Sequence, residues 1–162
     1  MSNKQILKLF IRLGRRLNAI EIEPVVYGSL GLYFLGKKVI VNDVDFLLAD
    51  KDFNRKWNDV KKLLKENKCE IDPDHEREFD CGGVFVSFLK LSEVSRLAKI
   101  DFPHLERNEY KGLVYRNLTL QQYLNIYRNG LKNKWRRKKK KQDDLDKIEI
   151  IRESIEKRRR RN

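Results

Sequence analysis

The chain has 162 residues, 40% of them hydrophobic and 38% charged, and a formal net charge of +13. That length supports one domain with one substantial core. No apolar run approaches the ~18 residues that a helical membrane span needs, so a transmembrane helix is excluded, and the positive charge calls for a polyanionic partner or substrate. The start, MSNKQILKLFIRLGRRL, has neither a long apolar stretch nor a small-residue cleavage site, so it does not read as an export signal. Cys69 and Cys81 are therefore expected to be reduced thiols in a cytoplasmic protein. Together with His75 and His104 they make no zinc spacing.

In chain order, Ile6, Leu9, Phe10, Leu13 and Leu17 recur at three- and four-residue steps and predict an amphipathic helix. After Pro24, Val25-Val26-Tyr27 reads as a short strand ended by Gly28-Ser29, and residues 30–36 have the length of two helical turns. Residues 39–49, VIVNDVDFLLA, read as a strand. Asp50 or Asp52 caps a helix with Phe53, Trp57, Val60, Leu63 and Leu64 on its inner face. Residues 69–79 read as an edge strand or irregular arm because of Pro73, and Cys81-Gly82-Gly83 turns into a strand over 84–91. A loop is expected around residues 101–112, then a helix capped by Thr119 with Tyr123, Leu124, Tyr127 and Leu131 inside. A last helix carries Leu145, Ile148, Ile151 and Ile155 on one face.

The expected architecture is α+β: a small mixed sheet with helices packed on it, followed by a helical C-terminal segment. The whole chain, 1–162, reads as one domain, with a sheet-containing core over 20–110 and C-terminal helices with a basic tail over 118–162. The charge excess is local. Residues 132–141 carry eight positive charges and residues 157–161 five, which leaves the remainder near neutral. Trp135, inside the first run, is expected to pack the last helices together, and Lys37 and Lys38 to be solvated.

Two features carry chemistry. Side chains two apart on a strand share a face, so Asp43 and Asp45 project together, with Cα atoms about 6.6 Å apart. Like charges so close are costly unless a cation or a proton neutralises them, and a hard divalent ion with oxygen ligands, Mg2+ or Mn2+, suits the pair. Gly28-Ser29, a strand running through a glycine turn into a helix start, presents backbone N–H groups and a hydroxyl to an anion. Together they describe a site for a metal-chelated triphosphate.

Tyr27-Gly28-Ser29, thirteen intervening residues and Asp43-Val44-Asp45-Phe46 resemble the signature of the DNA polymerase β-like nucleotidyltransferase superfamily, most closely its small bacterial members. These include minimal, toxin–antitoxin and antibiotic-modifying nucleotidyltransferases. The resemblance is sharp over 25–48 and extends in element order over about 20–131. It implies that Gly28 and Ser29 contact nucleotide phosphates and that Asp43 and Asp45 bind metal. It also implies two-metal transfer of a nucleoside monophosphate from a nucleoside triphosphate to a hydroxyl. A third carboxylate belongs on the strand after the Gly-Gly turn, where this sequence has Ser87 in Val84-Phe85-Val86-Ser87-Phe88. Asp101 and Asp80 are the substitutes within the sequence, and Asp101 is the one assigned a catalytic role. Their plainer readings are a loop cap and a turn former.

Three functions follow. The first is a metal-dependent nucleotidyltransferase whose basic segments, 132–141 and 157–161, favour RNA or another anionic acceptor. The second is a degenerate nucleotidyltransferase fold that binds nucleotide or RNA without turnover. The third is an interaction protein of the toxin–antitoxin type, its tail docking an acidic partner.

Overall fold

A computed structural model describes residues 2–162. The first helix, α1 (Asn3–Ala19), buries Ile6, Leu9, Phe10, Leu13 and Leu17. These are the residues the three- and four-step spacing marks. The chain then runs through β1 (Val25–Tyr27), α2 (Gly28–Phe34), β2 (Val44–Leu48), α3 (Asp50–Glu66), β3 (Glu70–Ile71), β4 (Glu78–Asp80) and β5 (Phe85–Lys90). It continues with α4 (Leu91–Ala98), a 3-10 turn (Phe102–His104), β6 (Glu106–Tyr110), β7 (Leu113–Asn117), α5 (Leu120–Gly130) and α6 (Lys134–Arg161).

The seven strands form one mixed sheet in the order β3-β4-β5-β2-β1-β7-β6. β2 is antiparallel to β1 and parallel to β5, and β1 is parallel to β7. Alternation splits β2 between two cores. Val44, Phe46 and Leu48 enter the cluster with α1 and α3, where Phe46 stacks on Phe10 and Phe88, each at 5.3 Å between ring centres. Leu47 and Val25 face the other way, among Tyr123, Leu124, Tyr127, Ile148 and Ile151 of α5 and α6. The mixed α+β sheet expected from the sequence is the one the chain forms.

Four local expectations change. Residues 39–43 are not strand: β1 pairs only Val25–Tyr27 with Leu47–Asp45 before Gly28 turns away, so nothing extends the ladder back to Val39, and Ile40 is exposed. The segment read as a loop after residue 101 contains the β6–β7 hairpin, which extends the sheet to Asn117. Cys69 and Cys81 are not free thiols but a disulfide. The β3–β4 ladder pairs Glu70 with Asp80 and so brings the neighbouring cysteines together, with Cα atoms 4.2 Å apart. Trp135 packs nothing together and is 66% exposed. No described helix is long and apolar enough to cross a membrane.

Candidate active site

The site is built where β1 ends. Gly28 has φ +67°, a left-handed conformation that glycine adopts without penalty. A Cβ at Gly28 would also lie 2.6 Å from Oδ2 of Asp45. Glycine is thus required twice, to turn the strand into α2 and to admit the carboxylate. Register fixes what lies beside it. Tyr27 pairs with Asp45, Asp45 with Ser87, and Ser87 with Glu78, so four strands contribute one row of side chains on one face. Ser87 is therefore Asp45's neighbour across β5, and the position that the resemblance reserves for a third carboxylate holds a hydroxyl.

A cleft of about 130 Å³ brings Gly28, Ser29, Asp43 and Asp45 together with Tyr27, Tyr127, Arg136, Lys140, Asp143 and Lys147. Asp43 stands just ahead of β2 and Asp45 within it. The two halves predicted from sequence, the glycine turn and the paired aspartates, share one wall.

The opposite wall comes from α6. Asn133 caps this helix by accepting a hydrogen bond from Arg136 N at 3.1 Å. Arg136 donates twice to Asp144, Nε to Oδ2 at 2.7 Å and a terminal nitrogen to Oδ1 at 2.8 Å. Asp144 is fully buried, and a paired guanidinium is what makes that burial tolerable. Lys147 donates to Asp143 Oδ2 at 2.7 Å and lies over the Tyr127 ring at 5.4 Å. Lys37, expected to be solvated, donates to Ser154 Oγ at 2.9 Å and ties the segment after α2 to α6.

Beneath the cleft, Tyr123 is buried and stacks between Tyr27 and Tyr127 at 6.4 and 6.3 Å. Its hydroxyl lies 2.9 Å from Asn117 Oδ1 and 3.2 Å from the Val26 carbonyl, and Asn117 Nδ2 donates to the Gly31 carbonyl at 3.0 Å. This network locks β1, α2, β7 and α5 at fixed distances, so the glycine turn is held rigidly against the aspartates.

Electrostatics follow from this packing. Burial, and then the charge of Asp43, push the Asp45 carboxyl up to about 7, with Glu78 adding to the rise and Lys147 and Arg136 opposing it. Burial pushes the Tyr27 hydroxyl up to about 12 against the pull of Arg136, and raises Tyr127 and Tyr123 as well. Asp45 is thus a carboxylate short of positive charge, with oxygen donors from Asp43 beside it. That donor chemistry fits a divalent cation.

The other sequence candidates lie elsewhere. Asp101 does not line the cleft; it is exposed, and its carboxylate is 2.6 Å from His104 Nδ1 at the start of the 3-10 turn. Asp80 is exposed and accepts from Gly83 N at 2.6 Å within the β4–β5 turn. Beyond β5, Asp72, His75 and Glu78 bring ligand atoms within 4.8 Å of one another. The cleft residues of α6 were hidden in sequence by the basic run, although Arg136, Lys140, Asp143 and Lys147 fall at steps of four, three and four, one helical face.

No family model matches the chain. Solved structures share its fold. An antigenic nucleotidyltransferase-like protein from Paracoccidioides brasiliensis matches with a TM-score of 0.62 at 16% identity, covering 93% of this chain and 77% of that one. ANT(2")-Ia, crystallised in complex with adenylyl-2"-tobramycin, matches with a TM-score of 0.62 at 8% identity, covering 94% of this chain and 90% of that one. The fold is accordingly the nucleotidyltransferase fold, as the Gly28-Ser29 and Asp43-Val44-Asp45 spacing implied. In sequence, the chain is 31% identical over 148 residues to the uncharacterized protein YnaI of Bacillus subtilis strain 168, across 90% of this chain and 95% of that one, and it belongs to the same family.

Proposed function

We propose that the protein is a divalent-metal-dependent nucleotidyltransferase, moving a nucleoside monophosphate from a nucleoside triphosphate to a hydroxyl. The observation that carries this reading is the shared cleft: Gly28 and Ser29, Asp43 and Asp45, and three cations of α6 face one another across it. Asp43 and Asp45 would hold Mg2+ or Mn2+, which supplies Lewis-acid polarisation of the phosphates. The N–H groups and hydroxyl of the Gly28-Ser29 turn receive phosphate oxygens. Arg136, Lys140 and Lys147 neutralise the remaining charge of the triphosphate and of the departing pyrophosphate. Because Arg136 is anchored by Asp144, its guanidinium is already oriented before a nucleotide arrives.

Basic side chains of α6 that point away from the cleft, Arg137, Lys138, Lys139 and Lys141, are exposed. They favour RNA or another polyanion as the acceptor.

The test is calorimetric titration of ATP, GTP, CTP and UTP with Mg2+ or Mn2+ into the wild type and the Asp43→Asn/Asp45→Asn double variant. Metal-dependent binding that the double variant loses supports the reading. Nucleotide binding of equal strength in both proteins refutes it. A non-catalytic binding protein is the second reading, favoured by the hydroxyl of Ser87 beside Asp45. It predicts nucleotide binding without release of pyrophosphate in the presence of any hydroxyl acceptor.

A further inference from the structure

The near-neutral sum of the chain outside its two basic runs conceals an uneven distribution. Residues 1–20 hold five cations, Lys4, Lys8, Arg12, Arg15 and Arg16, and no acidic residue. On α1 the five fall within an arc of about 120° at 3.6 residues per turn, away from the apolar face that enters the core. All five are exposed. Among the described residues neither they nor Lys111 makes an ion pair, whereas Arg77, Arg107, Arg116 and Arg136 are each paired with a carboxylate. Like charges at four-residue steps repel, so the fold holds this face at a cost that an anionic ligand relieves.

The face is concave. Lys8, Arg12, Arg15 and Arg16 line a groove of about 630 Å³ together with Lys111, from the turn between β6 and β7. Arg15 lies across that turn, its Nε 3.6 Å from where a Cβ on Gly112 would stand. Lys111 Nζ sits over the Tyr110 ring at 5.4 Å. Tyr110 in turn lines a second groove, of about 750 Å³, with Tyr33, Lys37 and Lys38. The two grooves adjoin at Leu7-Lys8 on α1 and at Tyr110-Lys111 on the hairpin. Tyr33 is 38% exposed, and Phe34 stands edge-on to both Tyr33 and Tyr110. Burial, then Arg158 and Lys157 of α6, hold the Lys37 ammonium below the usual lysine range, so the basic end of α6 borders this groove as well. Neither groove shares a lining residue with the cleft of Asp43 and Asp45.

Cations without carboxylate partners suit a polymer of phosphates, and an exposed aromatic ring beside them suits unpaired bases. A membrane surface would need α1 to present its apolar face, and that face is buried. An acidic protein would need an apolar anchor, and the α1 groove offers only Ile11 and Ala19 besides its cations. The single-stranded polyphosphate that a cell holds in quantity is RNA. We propose that the two grooves form an RNA-binding site separate from the cleft, in which Lys8, Arg12, Arg15 and Lys111 hold the phosphates of a single strand and Tyr33 stacks on a base. The site stands without the nucleotidyltransferase reading; on that reading it holds the body of an acceptor RNA.

The test is fluorescence anisotropy with a fluorescein-labelled oligouridylate of about 16 nucleotides, in a chelator, without nucleoside triphosphate, over a series of salt concentrations. The wild type is compared with Arg12→Gln/Arg15→Gln, Tyr33→Ala, Lys138→Gln/Lys139→Gln and Asp43→Asn/Asp45→Asn, each checked for folding by its melting curve. The arginine pair should lose at least tenfold in affinity. Its slope of log affinity against log salt should be shallower by about 1.4, two phosphate contacts at ~0.7 each. Tyr33→Ala should lose roughly five- to a hundredfold with the slope unchanged, the signature of stacking rather than charge. Lys138→Gln/Lys139→Gln should lose less than the arginine pair, and the aspartate pair should bind RNA at least as tightly as the wild type. Wild-type affinity in the arginine pair, with the loss confined to Lys138→Gln/Lys139→Gln, puts the RNA on α6 and overturns the proposal. Binding of phosphatidylserine vesicles but not of RNA, lost in the arginine pair, overturns it in favour of a membrane surface. Loss of RNA binding in the aspartate pair overturns the separateness of the site. None of these results decides metal-dependent nucleotide binding, which calorimetry reads independently.

Discussion

Asp45 offers the most quantitative test of the site. Its carboxyl is pushed from 3.8 up to about 7, first by burial and next by Asp43. A carboxyl whose folded value is raised binds more protons in the folded state than in the unfolded one. Stability contributed by that proton is full below 3.8 and is lost as the pH rises toward 7. The linkage relation then makes the penalty from ionising Asp45 on the order of 2 kcal/mol at pH 5 and roughly twice that at pH 8. Asp45→Asn keeps the shape and removes the titration. The stability difference between variant and wild type should therefore shift in the variant's favour by roughly 2–3 kcal/mol between pH 5 and pH 8. For a chain of this size that corresponds to a relative Tm change of roughly 5–10 °C. The assay is thermal unfolding of both proteins at a series of pH values in a chelator, so that no divalent ion masks the repulsion. Taking the difference cancels the titrating groups that do not interact with Asp45. Parallel curves, with a constant gap from pH 5 to pH 8, would refute the claim that Asp45 is a strained carboxylate. Adding Mg2+ at pH 8 should then stabilise the wild type selectively, by about 2.7 kcal/mol at a hundredfold excess over its dissociation constant.

Gly28→Ala should fold with a loss of about 1 kcal/mol for its left-handed backbone, yet lose nucleotide affinity, because its Cβ displaces Asp45; calorimetry beside a melting curve separates the two effects. Asp144→Ala removes the two charge-assisted hydrogen bonds that hold Arg136, whose side chain is 37% exposed and can turn to water, and should cost about 1–3 kcal/mol, a fall in Tm of roughly 2–10 °C. Gly31→Ala forces a methyl against Tyr123, whose Cζ would be 2.8 Å away, and should lower stability by about 1–3 kcal/mol in urea denaturation. Lys147→Met retains the aliphatic contact with Tyr127 but removes a cation facing Asp45. Its triphosphate affinity should drop at least tenfold with the melting temperature little changed.

The donor half of the site was legible because its signal is local. A strand, a glycine turn and two aspartates one residue apart lie within 21 residues, and the register of β1 with β2 follows from the short connection between them. The Thr119 cap of α5 was equally readable, and its hydroxyl accepts from Gln122 N at 3.2 Å. β6 escaped because Glu106–Tyr110 is an edge strand with charged, largely exposed side chains and no apolar alternation. α4 escaped because Leu91 begins the helix directly after Lys90 ends β5, with no glycine, proline or change in apolar character to mark the junction. The cations of α6 are on the right helix face for the cleft, but only docking of that helix on α5 gives the face a partner. Their role is a tertiary fact.

The cleft is also assembled out of sequence order. Its aspartate wall is complete by residue 45, whereas its cationic wall ends at Lys147. During synthesis the N-terminal part of a chain emerges and begins to order first. Until α6 emerges, the carboxylate pair has no cationic wall facing it. On the nucleotidyltransferase reading, the phosphate clamp is complete only once α6 packs on α5, so a chain cut before residue 134 lacks the cationic wall of the cleft altogether.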